Sequence, residues 1–260
     1  MLQFLLDLDG TLYTESGPIP GVVETVQHLR RRGIPVRFVT NTTRRPRRAL
    51  VERLRGYGFE VEPDEVMTAV LAGAAYLRAQ GLDPVAPLVT QETLEDLEGL
   101  TLIGGTAPAA APAPPAAVLI GDLGDDLTHA LLNEAFRYVM DGARLVALQK
   151  GRYWQGADGL LLDAGAYVAA LEYATGEDAV ACGKPSEAFF HAAVQSFPRS
   201  DVPSVMVGDD LMSDVHGAQQ AGLQGWLVKT GKFRQEVLEK NDVRPDRILD
   251  SVADLLDIDV

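Results

Sequence analysis

Short apolar runs alternate along the chain with longer stretches whose apolar residues recur at helical spacing. From the N-terminus they read "QFLLDLD", "GVVETVQHLRRRG", "PVRFVTN", "RRALVERLRGYGF", "EVMTA" and "LAGAAYLRAQG". Compact apolar runs of this length form strands and the amphipathic stretches form helices, so the segment reads βαβαβα. That order implies a parallel sheet covered by helices, with a ligand crevice outside the carboxyl ends of its strands. The pattern resumes in "DAVACGKPS", "EAFFHAAVQSF", "SVMVGDD", "DVHGAQQAG" and "GWLVKTG". Between the two blocks, "VAPLVTQETLEDLEG", "AAVLIGD", "LTHALLNEAFRYVMDG", "RLVALQ", "DGLLLDAG" and "AYVAALEYATG" supply strands and helices for a second α/β unit. The expected fold is α/β: a Rossmann-like parallel-sheet core, residues 1–81 and 180–260, interrupted by an inserted α/β domain, residues 82–179. Within the insertion, "GGTAPAAAPAPPAA" reads as an extended surface connection.

Composition narrows the partners. A chain of 260 residues with 47% hydrophobic residues buries a sizeable core and sits at the length where one core splits into two. Acidic residues number 37 against 23 basic, a net charge of −14, which disfavours nucleic acid and anionic membranes as partners. A phosphate-bearing ligand would then need a local remedy such as a metal ion. The single cysteine, Cys182, rules out an internal disulfide and fits a reducing cytosol. With no basic leader and no run of eighteen apolar residues, a cytoplasmic protein is expected.

Chemistry enters at "DLDGT". Alternation along a strand puts Asp7 and Asp9 on the same side at its carboxyl end, facing the crevice. Two carboxylates there repel unless a cation lies between them, and Mg²⁺ favours one or two carboxylates with phosphate oxygens and water. Gly10 permits a sharp exit from the strand. Alone, such a pair is ordinarily a capped loop, but three further segments change the odds. Thr40 in "RFVTNTT" ends the next strand with a hydroxyl and an amide suited to a phosphate oxygen. Lys184 in "CGKPS" is a compact charge before a helix-starting proline. In "SVMVGDDLMSDV" an apolar strand breaks into Asp209 and Asp210, with Asp214 close behind.

In order and spacing, "DLDGT", "VTN", "GKP" and "GDDLMSD" resemble the motifs of the haloacid dehalogenase superfamily of phosphohydrolases, across essentially the whole chain. Placement of the insertion between the second and third motifs resembles the NagD-like subfamily IIA, which has a large α/β cap. Further likeness in "FVTNTT", "GRYW", "DGLLLDAGAYVAALEYATG", "CGKPS", "VGDD" and "VKTGKFR" is to the group within it that cleaves P–N bonds and pyrophosphate. The resemblance implies a Mg²⁺-dependent phosphatase of a small phosphorylated substrate. It implies Asp7 as the nucleophile that forms an aspartyl-phosphate and Asp9 as general acid and base, a division that carboxylate chemistry supports. Thr40, Asn41 and Lys184 would hold the phosphoryl group. Asp7, the Asp9 backbone carbonyl and Asp209 would bind Mg²⁺, with Asp210 and Asp214 fixing metal waters or Lys184 around them.

The insertion is expected to act as a lid that carries substrate specificity. Its candidates are the loop at Asp163, Ala164 and Gly165, whose following helix would present free amides, although Asp163 could equally just cap that helix. Arg44, Lys150 and Arg152 are candidates for an anionic leaving group or for solvated surface, and Arg47 and Arg48 for an exposed helix face. The echo "VLIGDLGDD" places Asp122 outside the motif order; it reads as a strand leading into a helix capped by Asp125, Asp126 or Thr128. His28, His129, His191 and His216 lack metal-ligand spacing. A homodimer is compatible with the subfamily, though no sequence feature requires it. Alternatives are a phosphatase of sugar or nucleotide monoesters and a non-catalytic phospholigand-binding protein on the same fold. Carbon–halogen hydrolysis is disfavoured by Asp9 with Asp209, and a phosphoacceptor receiver by motif order and the insertion.

Overall fold

A computed structural model describes residues 2–107, 113–156 and 159–258. Strands follow in chain order as β1 (Gln3–Asp7), β2 (Tyr13–Thr14), β3 (Gly17–Pro18), β4 (Val36–Thr40), β5 (Val66–Thr68), β6 (Val85–Leu88) and β7 (Ala117–Ile120). They continue as β8 (Arg144–Ala147), β9 (Tyr153–Gly156), β10 (Gly159–Leu162), β11 (Val180–Ala181), β12 (Ser204–Gly208), β13 (Gln224–Val228) and β14 (Arg247–Leu249). The main helices are α1 (Val22–Arg31), α2 (Arg47–Gly56), α3 (Ala69–Gln80), α4 (His129–Met140), α5 (Ala164–Thr175) and α6 (Glu187–Gln195). Two compact units result: Met1–Thr40, Arg47–Met67 and Lys184–Val260 form the first, Asn41–Pro46 and Thr68–Gly183 the second.

The first unit is built on a sheet of order β14-β13-β12-β1-β4-β5. Its central strand β1 runs parallel to β12 on one side and β4 on the other, and all five of its residues are buried, as expected for a strand covered on both faces. Register pairs Asp7 with Val39 and Leu6 with Val207, so the carboxyl ends of β1, β4 and β12 share one edge. Phe4, Leu6, Phe38, Val205, Val207 and Trp226 form the core between sheet and helices. On α1 the buried residues Val22, Val26 and Leu29, spaced i, i+4 and i+7, make the stripe that docks it.

The second unit carries a four-stranded parallel sheet of order β11-β8-β7-β6 and a separate antiparallel hairpin of β9 and β10. Ala135 and Val139 of α4 and Val168 and Leu171 of α5 pack with Val118, Ile120 and Leu145. Thr128 caps α4 by accepting from Leu131 N at 3.2 Å, and Thr68 caps α3 in the same way through Leu71 N.

The boundaries differ from the expected 82–179. Helix α3 sides with the second unit because Gly73, lacking a side chain, lets Leu148 and Leu119 pack onto its backbone. Strand β11, expected to reopen the core, instead pairs with β8. Residues 41–46 join the second unit through Thr43: its carbonyl accepts from Thr93 Oγ1 at 3.1 Å and its hydroxyl from Asp122 N at 2.9 Å. The Ala/Pro-rich connection at 108–112 lies outside the described residues. No helix among those described is long and apolar enough to cross a membrane.

Candidate active site

Leaving β1, the chain turns at Gly10 (φ 85°), whose amide donates to Tyr13 O at 2.7 Å. This turn brings Thr11 back over the strand end, and its hydroxyl donates to Asp7 Oδ2 at 3.0 Å. The other Asp7 oxygen accepts from Lys184 Nζ at 2.6 Å, and the same ammonium donates to Asp214 Oδ1 at 2.6 Å. After β12 the chain winds through a π-helical turn, Leu211–His216. Asp210 caps it, accepting from Met212 N and Ser213 N at 3.0 Å each, while its own amide donates to Asp214 Oδ2 at 3.1 Å. The turn thereby folds Asp214 beneath Gly208, where a Cβ would strike its carboxylate. Asp209 is fixed from another side, its Oδ2 accepting from Lys232 N at 2.6 Å.

Oxygens of Asp7, Asp209 and Asp214 lie within 4.8 Å of one another, all three residues buried. The Lys184 ammonium contacts two of these three carboxylates, Asp7 and Asp214. Burial would lower the Lys184 pKa, but Asp214 and Asp7 outweigh it and hold it above its ordinary value. Two carboxyls respond to the excess negative charge. Burial, then repulsion by Asp7 and Asp214, pushes Asp209 up to about 8. Asp214 is pushed up to about 6, by burial first and by Asp7 and Asp210, against the pull of Lys184. For Asp210, burial pushes upward but Lys232 and the Ser213 and Met212 amides prevail and hold it below its ordinary range. A buried, under-compensated, all-oxygen donor set of this kind fits a hard divalent cation.

The residues expected from sequence distribute unevenly. Asp7, Lys184 and Asp209 meet in the trio's surroundings, and Asp214, expected to act around the metal, is one of the three. Asp9 is exposed, its carboxylate outside the trio. Thr40 is buried at the carboxyl end of β4. Asn41, Asp163 and Gly165 belong to the second unit. There the Asn41 side chain sits against Gly183, which has no room for a Cβ.

Asp163 caps α5 through Ala164 N at 2.8 Å, Gly165 N donates to Gly151 O at 3.0 Å, and Ala166 N to Asp163 O at 3.1 Å. The first-turn amides that a substrate contact would use are thus committed internally. Asp122 pairs with Arg44 at 3.3 Å, Lys150 pairs with Glu172 at 2.7 Å, and Arg152 is exposed. None of the four histidines enters the trio. Sequence reasoning gave no role to Thr11 or to Gly231 and Lys232; the i, i+4 spacing of Thr11 from Asp7 after a glycine turn was the available signal.

Comparison with known proteins agrees with this geometry. The family model described as haloacid dehalogenase-like hydrolase matches residues 4–102, and the HAD-hydrolase-like model matches 181–255. Haloacid dehalogenase-like hydrolase domain-containing protein 2 of Rattus norvegicus is 40% identical over 93% of this chain and 89% of its own. Phospholysine phosphohistidine inorganic pyrophosphate phosphatase of the same species is 36% identical over 98% and 92%. Among solved structures, a p-nitrophenyl phosphatase from Archaeoglobus fulgidus superposes with a TM-score of 0.88 at 28% identity, covering 98% of each chain. A glycerol phosphate phosphatase from Mycobacterium tuberculosis in complex with magnesium gives 0.83 at 29%, covering 97% of this chain and 75% of that one.

Proposed function

This chain belongs to the haloacid dehalogenase-like hydrolase family, and from that premise we propose that it is a Mg²⁺-dependent phosphatase working through an aspartyl-phosphate on Asp7. The observation that carries the proposal is the Asp7 carboxylate itself. It sits at the carboxyl end of the central strand, gripped by Thr11 and Lys184 beside Asp209 and Asp214. A carboxylate so fixed is a pre-aligned nucleophile, which removes much of the orientational barrier to attack on phosphorus.

In the proposed cycle Asp7 attacks the phosphoryl centre, and Asp9, which is exposed, gives its proton to the departing oxygen or nitrogen. Asp9 then takes a proton from water as that water cleaves the aspartyl-phosphate. Lys184 and Thr40 hold phosphoryl oxygens; the role implied for Asn41 rests on the family resemblance. Asp7, Asp209 and Asp214 would hold Mg²⁺, with Asp210 positioning Asp214 through its amide. When bound, the ion supplies neutralising charge for phosphoryl oxygens as negative charge redistributes.

For the substrate we propose a small molecule with a P–N or P–O–P bond, supported by the phospholysine phosphohistidine inorganic pyrophosphate phosphatase at 36% identity. A phosphate monoester is the second reading, favoured by neighbours named p-nitrophenyl and glycerol phosphate phosphatases. Phosphate release in Mg²⁺ from phospholysine, phosphohistidine, pyrophosphate, p-nitrophenyl phosphate and sugar phosphates decides between them. Preference for the first three supports the leading reading, and preference for a monoester replaces it. Full-rate release after chelation would overturn the metal assignment.

A further inference from the structure

One cation that none of the four motifs supplies stands beside the carboxylate trio, paired with the neighbouring Asp210. Lys232 leaves the turn after β13 with its amide 2.6 Å from Asp209 Oδ2 and its ammonium 3.5 Å from Asp210 Oδ2. The turn is pinned in place. A Cβ on Gly231 would run into both Asp209 Oδ2 and the Gly10 backbone, so the loop packs on a trio carboxylate and on the exit from β1 together. Yet the Lys232 side chain is 57% exposed, whereas that of Lys184 is 3% exposed. An ion pair of this kind, with a largely solvated ammonium, contributes little to stability. Fold stability therefore gives little reason for a lysine at this position.

What the ammonium does alter is the potential over the cluster. Asp7, Asp209, Asp210 and Asp214 against Lys184 sum to −3 when ionised, and Lys232 brings this to −2. A divalent cation and a phosphoanion respond to that change with opposite signs.

We propose that Lys232 is a positioning residue that sets the balance between metal and phosphate affinity, its ammonium favouring the phosphoanion at the expense of Mg²⁺. This rests on the reading of Asp7, Asp209 and Asp214 as the metal centre of a phosphatase. Because the group is solvated, its influence is screened by salt, and because only charge is needed, arginine replaces it.

The test is calorimetric. Mg²⁺ alone, and then inorganic phosphate in saturating Mg²⁺, are titrated into the wild type, Lys232→Met and Lys232→Arg. For Lys232→Met the expected Kd for Mg²⁺ falls about threefold or more and that for phosphate rises about threefold or more, both shifts shrinking between ~20 mM and ~500 mM salt. Lys232→Arg behaves as the wild type. A merely structural role would weaken both ligands together, and that result, unchanged constants, or shifts indifferent to salt would overturn the proposal. Failure of the wild type to bind Mg²⁺ overturns the metal reading as well, whereas a binding-competent wild type with an unchanged variant overturns the role of Lys232 alone.

Discussion

At Lys184 one buried ammonium lies 2.6 Å from an oxygen of Asp7 and 2.6 Å from an oxygen of Asp214. Removing it leaves two carboxylates facing each other without a cation, and breaking a buried pair by deleting one partner costs about 3–5 kcal/mol. Lys184→Met is expected to lose stability of that order in urea unfolding without metal, and less with saturating Mg²⁺. An equal loss under both conditions would mean that no cation substitutes for the ammonium. Asp7→Asn keeps the shape and the Thr11 contact but removes the nucleophile. Phosphate release should fall at least about a thousandfold with unchanged circular dichroism, and a folded variant retaining a tenth of the rate would refute the assignment. Asp7 and Asp209 were legible because the ends of β1 and β12 converge in one parallel sheet by topology alone, whereas Lys184 was legible only through its motif, the strand before it pairing in the other sheet. The inward turn of Asp214 was not, since spacing within "GDDLMSD" does not say which of three carboxylates folds back under Gly208. For Asp163 and Gly165 the sequence left capping and substrate contact both open, because a helix N-terminus looks the same in sequence whether its amides are used or free, and the structure shows the cap.

Between elements, the site depends on two turns that touch. Gly10 after β1 and Gly231 after β13 have φ of 85° and 50°, and a Cβ on either would meet Asp209. Gly231→Ala therefore combines left-handed strain, about 1–3 kcal/mol, with displacement of a proposed metal ligand. The expected result is Mg²⁺ affinity lower by about 10–100-fold, the usual effect of disturbing a ligand's support. Gly33→Ala is the control: its φ of 69° carries similar strain, but nothing lies within 4 Å of the added Cβ. It should lower the unfolding midpoint and leave Mg²⁺ binding alone. Equal affinities in the two variants would show that Gly231 matters only for backbone conformation. The strands β1, β4, β12 and β13 were readable as apolar runs ending in polar residues. Strand β14 was not, because three residues with only Leu249 buried carry no period. Membership of β11 and α3 also escaped, being decided by partners distant in sequence, Val146 and Ala147 for β11 and Leu119 and Leu148 for α3.

Over the whole molecule, alternation of short and long apolar runs that breaks off and resumes is enough to expect two α/β units, but it cannot place their boundary, which side-chain contacts at Thr43 and Gly73 decide. All the strongly perturbed carboxyls of the trio fall in the first unit, and this gives its stability a pH dependence of predictable sign. Asp209 near 8 and Asp214 near 6 both hold protons in the folded protein that an unfolded aspartate, with a pKa of about 3.9, has released. Where the folded state binds more protons, stability falls as pH rises, so metal-free protein should weaken between about pH 4 and pH 8. Asp210 and Glu65, held below their ordinary range, act in the opposite sense only toward the acid end, and the raised Lys184 acts above the window. The net charge of −14 adds self-repulsion of the same sign as the trio. Mg²⁺ reverses the slope, because its binding replaces those protons and stabilises only the folded state. Thermal midpoints should therefore drop from about pH 5.5 to about pH 8 without metal, with Mg²⁺ raising them more at the higher pH. Asp209→Asn should flatten the metal-free slope of the first unit's transition, and its comparison with the wild type separates the trio from the remaining charges. A metal-free midpoint that rises across the window, or a slope unaffected by Asp209→Asn, would mean that the trio is compensated without a cation.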